Sequence, residues 1–121
     1  MKEHIGFQII VIGILHIIFG LIRFREDLLA MVMEGLLATG GGEARGWAFW
    51  FTFAGVLLFM IGSLISTMEE KNITIPVHLG WVLAIGSIVG LIIFPVSGFW
   101  LMLVPSYFIF KSQKAVAVND A

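Results

Sequence analysis

The chain has 121 residues, 60% hydrophobic and 12% charged, with a formal net charge of −1 and no cysteine. Ordinary soluble domains are about 25% charged, and a domain this small has too little interior to bury so much apolar surface. The composition excludes disulfides, thiolate metal sites and cysteine nucleophiles, offers no polybasic patch for nucleic acid, and points to lipid as the solvent.

The first predicted element runs over residues 5–23, interrupted only by Gln8, His16 and three glycines. Its apolar run, Ile5 to Ile22, has 18 residues. That is longer than the roughly 7–15 of a signal-peptide core, so it is expected to persist as a membrane span. Arg23 and Arg25 close it.

The next 22 residues, Phe24 to Arg45, are long for a helix-to-helix link. Residues 27–38 read as a short amphipathic helix with Asp27 as N-cap and with Asp27 and Glu34 on one face. At about 12 residues it is too short to cross a bilayer, so it is expected to be interfacial or re-entrant. Gly40, Gly41 and Gly42 then let the chain swing into the second span, residues 46–68, which carries no charge.

From Asn72 to Phe110 no carboxylate, lysine or arginine occurs, and Pro95-Val96-Ser97-Gly98 interrupts the stretch. It divides into spans 75–94 and 98–111 joined by a turn. Pro105 is expected to kink the last span and free a carbonyl near Leu101. The tail is 112–121, and from Ala115 to Ala121 it is small and polar and is expected to fray. The expected fold is thus all-α: a single domain, a four-transmembrane-helix bundle with a short interfacial helix between spans 1 and 2.

Trp47, Trp50, Trp81, Trp100 and Tyr107 lie mostly near predicted helix ends, as interfacial anchors do. Lys2, Lys71, Lys111 and Lys114 would share one side, and Arg23, Arg25 and Arg45 the other. Four against three leans towards cytoplasmic termini. Gly20-Leu21-Ile22-Arg23-Phe24 is echoed by Gly90-Leu91-Ile92-Ile93-Phe94, a faint sign of duplicated hairpins.

Gly6, Gly13 and Gly20 form a seven-residue stripe, Gly55 and Gly62 repeat the interval, and Gly86 and Gly90 make a GxxxG. Such stripes let helices approach closely, within a chain or between chains, and their number leads us to expect a homodimer. His16 falls near mid-bilayer, where an ionisable group is a functional hypothesis by default; the alternative is a neutral histidine bonded to a neighbouring helix. His16, Gly20 and Arg23 share a face.

Polar residues gather between spans 1 and 2, with Trp50 and Trp100 at the same level. The candidate ligand-binding set is therefore His16, Arg23, Asp27, Glu34, Trp50 and Trp100. The bland reading of the same residues is a solvated, self-paired loop with aromatic anchors. A pocket floored by His16 and anchored at Arg23 would suit a small amphipathic or lipid-like molecule. No metal or cofactor is expected. His78 stands about nine residues, or roughly 13 Å of rise, from the level of His16, which excludes a shared haem iron.

In layout, in Gly13-Ile14-Leu15-His16-Ile17-Ile18-Phe19-Gly20 and in Trp47-Ala48-Phe49-Trp50-Phe51, the chain resembles uncharacterised small bacterial four-helix membrane proteins. That resemblance implies a bacterial cytoplasmic membrane and lends no activity. The chain is also superficially similar to small multidrug resistance transporters, dimers with a membrane-embedded glutamate in helix 1. Here no carboxylate lies in a predicted span, and His16 is the candidate for that role. Three functional classes stay open: a binding protein or enzyme for an amphipath, a proton-coupled dimeric exporter, and a structural or partner-binding protein.

Overall fold

The computed structural model describes residues 4–120. It is all-α: α1 (Ile5–Arg23), α2 (Arg25–Met33), α3 (Glu43–Glu70), α4 (Val77–Ile93) and α5 (Phe99–Asp120), with no strand among the described residues. Two of these, α1 and α3, are long and apolar enough to cross a membrane. The 17 residues of α4 rise only about 26 Å, a little under the roughly 30 Å of a hydrocarbon core.

The helices form two antiparallel pairs, α1 with α3 and α4 with α5, joined where α1 meets α5. Among the described residues no close backbone approach links α4 to α1 or α3, so the order in space is α3–α1–α5–α4. This is a row more than a closed bundle. Ile5, Ile9, Ile65, Ile75 and Ile109 make the buried core, with Leu58, Leu79, Leu83 and Phe108 packed on it. Most large apolar side chains face outward instead, among them Phe19, Ile22, Met60, Leu64 and Ile92.

The α1–α3 contact is built from the two glycine stripes. A Cβ on Gly6 would collide with the Ser66 backbone, and one on Gly13 would stand 2.8 Å from the Phe59 nitrogen. From the other side, a Cβ on Gly62 would come within 2.7 Å of the Ile10 nitrogen. Backbone here lies on backbone, which only glycine permits. In the second pair Gly90 lies against the Phe99 ring, while Gly86 has nothing within 4 Å. The GxxxG is therefore split: one glycine serves the fold and the other is open. The two halves of the echo are packed differently: Gly20 lies against Phe51 and Thr52, nine and ten residues into α3, whereas Gly90 lies against Phe99, the first residue of α5.

Helix ends explain three departures from the expected boundaries. The short helix occupies Arg25–Met33, not 27–38, and its cap position is Phe24, leaving Asp27 in the first turn. It stops early because Gly35 takes a φ of +92°. The Gly35 N–H then donates to Val32 O and the Leu36 N–H to Met31 O, a Schellman ending. Asn72, at φ +56°, ends α3 in the same way, with Ile73 N–H donating to Met68 O. The tail expected to fray is helical to Asp120: it holds no helix breaker, and the Gln113 amide donates to the Ile75 carbonyl across the α3–α4 connection.

The start of α1 has no acidic residue of its own. The Glu69 carboxylate, from the far end of α3, accepts the Ile5 N–H at 3.0 Å and the Gly6 N–H at 2.6 Å. A carboxylate there satisfies two orphan donors and complements the positive end of the helix dipole. The same contact brings the start of α1 to the end of α3, and Gln113 brings Ile75 to the second half of α5. The first described residues, the α3–α4 connection and the end of α5 thus gather at one end of the row.

Candidate functional site

The opposite end carries the polar residues. α1 and α2 are separated by Phe24 alone, whose φ of −109° and ψ of 23° break the helix without releasing the chain. The Phe24 N–H still donates to Gly20 O, and the Leu28 N–H to Phe24 O. The result is an elbow hydrogen-bonded on both sides. Six consecutive residues there, Ile22, Arg23, Phe24, Arg25, Glu26 and Asp27, none of them buried, form an open depression of about 410 Å³. The Arg23 guanidinium sits over the Phe24 ring, 5.5 Å from its centroid.

Of the six residues singled out from the sequence, Arg23 and Asp27 line this depression and four lie elsewhere. Glu34 is held by Arg45, whose Nη1 and Nη2 donate to its two oxygens at 2.8 and 2.6 Å. The same Arg45 Nη1 donates to the Thr39 carbonyl at 2.9 Å. This fork spans the segment in which Gly35, Leu36, Ala38 and Gly42 all have positive φ. The Arg45 guanidinium also holds the Glu34 carboxyl below the ordinary carboxylate range, chiefly through the hydrogen bonds. Trp50 is exposed and packs edge-on against Phe49 and Phe53. Trp100 is also exposed, and its Nε1–H donates to Pro95 O at 3.1 Å, closing the α4–α5 turn.

His16 is seven residues before Arg23, about 10 Å along α1. Its ring stacks on Phe51, with centroids 4.1 Å apart and planes 15° apart. Its Nε2 is buried with no hydrogen-bond partner among the described residues. Phe51 also meets Phe19 and Phe24, so an aromatic group on the α1–α3 seam connects His16 to the elbow. Sequence reasoning passed over Phe51, though it stands in the aromatic run at the start of the second span.

The pairing of Glu34 with Arg45 bears on the elbow. Arg23, Arg25, Glu26 and Asp27 make no ion pair with any described residue. Asp27 is still close enough for its charge to favour the charged form of Arg45. No group of three or more histidines or carboxylates suited to a metal ion occurs among the described residues.

A family model described as a family of unknown function, DUF6463, matches residues 1–116. The chain belongs to the DUF6463 family. No curated protein and no solved structure matches it. The family covers every residue discussed above except those at the end of α5, so the elbow, the glycine seam and the Glu69 cap all fall within it.

Proposed function

We propose that this member of the DUF6463 family is a four-span protein of a bacterial cytoplasmic membrane that holds a small amphipathic or lipid-like molecule at the α1–α2 elbow. The observation that carries the reading is the open surface depression formed by Arg23, Asp27 and the residues next to them. It lies at the end of a helix long and apolar enough to be a span. Arg23 would anchor a polar head while Ile22, Phe19 and the half-buried His16 border the path of the apolar body. The outward-facing aliphatic side chains suit a lipid solvent. A short α4 is accommodated by thinning of the bilayer and snorkelling of flanking residues. Both termini would be cytoplasmic, from the four-to-three lysine and arginine lean.

Native mass spectrometry of the protein extracted in mild detergent tests the reading. A co-purifying amphipath should be retained, and Arg23→Ala and His16→Ala should each reduce its retention while helicity is unchanged. Absence of any bound molecule, or retention indifferent to both substitutions, would overturn it.

A second reading, a proton-coupled exporter acting as a dimer, is favoured by one observation, the buried and unpartnered Nε2 of His16. Uptake of a cationic dye into proteoliposomes driven by a pH gradient, and lost in His16→Ala, would select it.

A further inference from the structure

We propose that the head of the bound molecule is zwitterionic, an anionic group held by Arg23 and Arg25 beside a primary ammonium held by Glu26 and Asp27. The proposal rests on the amphipath-binding reading above and deepens it.

The argument starts from the charges that line the depression. Two guanidiniums and two carboxylates stand on residues 23–27, and all four border the same space. They sum to zero, yet none of them makes an ion pair with a described residue. Arg45, whose charge Asp27 feels, is committed to Glu34 and the Thr39 carbonyl. The elbow thus presents positive and negative groups side by side, none of them in an ion pair, with Asp27 still acting on Arg45 through its charge.

Three kinds of head fit this pattern badly. A purely anionic head would meet two carboxylates as well as two guanidiniums, and a purely cationic head the reverse. An uncharged head would strip water from four charges and return no ion pair. A head that carries its own anion and cation a few atoms apart satisfies both halves together. The anion is a phosphate or carboxylate, since a guanidinium fork matches either with two parallel hydrogen bonds. The cation carries N–H groups, because carboxylates accept hydrogen bonds and a quaternary ammonium has none to give. Phe24 and Ile22 supply the apolar rim at which such a head joins its hydrocarbon body.

Glu26 and Asp27 also lie in the first turn of α2, where any carboxylate favours the helix dipole. That structural role predicts nothing about lipid selectivity, so selectivity separates the two. The full-length protein in dodecyl maltoside is offered an equimolar mixture of dioleoyl phosphatidylethanolamine, phosphatidylcholine and phosphatidylglycerol, and bound lipid is counted by native mass spectrometry. The ethanolamine lipid should be retained over each of the others by about threefold, the effect expected of one exposed ion pair. Arg23→Gln with Arg25→Gln should lower retention of the ethanolamine lipid. Glu26→Gln with Asp27→Asn should erase its advantage over the glycerol lipid. Soluble phosphoethanolamine in a parallel arm distinguishes the source: if it displaces bound lipid, the head alone is the ligand and its chemistry stands as proposed. Equal retention of the three lipids, or preference for the glycerol head, overturns the zwitterion assignment and leaves amphipath binding in place. Preference for the choline head, itself a zwitterion, overturns the primary ammonium. No retention of any lipid removes the amphipath reading and this proposal with it.

Discussion

Gly13→Ala adds one methyl group at the centre of the α1–α3 seam. That carbon would lie 2.8 Å from the Phe59 nitrogen, 3.0 Å from the Gly55 oxygen and 3.2 Å from the Leu58 Cβ. The first two are backbone atoms and cannot rotate away. To restore a contact of about 3.5 Å the helices must part locally by roughly 0.7 Å, which forfeits a quarter to a half of the dispersion energy of the contacts around it. Overpacking of this kind costs about 1–3 kcal/mol. Alanine returns up to about 1 kcal/mol through its better helix propensity, so a net loss of about 1–2 kcal/mol is expected. Gly86→Ala is the matched control, with the same gain in propensity and nothing within 4 Å to meet. Reversible unfolding in mixed detergent micelles, followed by far-ultraviolet circular dichroism, should place the two variants about 2 kcal/mol apart. If they differ by less than about 0.5 kcal/mol, within the scatter usual for surface substitutions, the seam is not the close backbone contact described.

Glu69→Ala should fray the start of α1 at a cost of about 1 kcal/mol, as loss of a helix cap does, and hydrogen exchange at the Ile5 and Gly6 amides should report it. Unchanged protection there would show that Glu69 is not the cap. The Glu34 carboxyl is held below its ordinary range when folded, so its pairing with Arg45 stabilises the 34–42 segment fully above the ordinary carboxylate range. That contribution is lost as the pH falls through the lowered value. Proteolysis of the segment by an acid-active protease should accelerate in that window, and the acceleration should be absent in Glu34→Gln. Gly86 remains the open glycine through which a second copy could pack, so Gly86→Leu should shift a dimer to monomer in cross-linking from lipid nanodiscs. An unaltered dimer would move the interface elsewhere.

The sequence by itself determined the helical class and the interruptions between the apolar helices. The long apolar runs, the Pro95–Gly98 interruption and the limits of α1 follow from local hydropathy and breakers. Gly35 and Asn72 are each the residue type that tolerates a left-handed ending, yet read from the sequence the short helix runs on to Ala38, five residues past its last helical residue, Met33. The candidate site was less legible. Helical periodicity says which residues share a face, as for His16, Gly20 and Arg23, but not what that face meets.

The tertiary structure alone decided the partners. It spent Gly6, Gly13, Gly20, Gly55 and Gly62 on one seam within the chain, where the spacing allowed a contact between chains equally well. It gave Glu34 to Arg45, 11 residues away, leaving Arg23 to the elbow. Glu69 reached α1 across 64 residues, and His16 was set against Phe51, not Trp50. Charge and polarity recur along this chain with several possible complements at similar cost. Only the close approach of two particular backbones fixes which complement lies within the roughly 3 Å that a hydrogen bond requires.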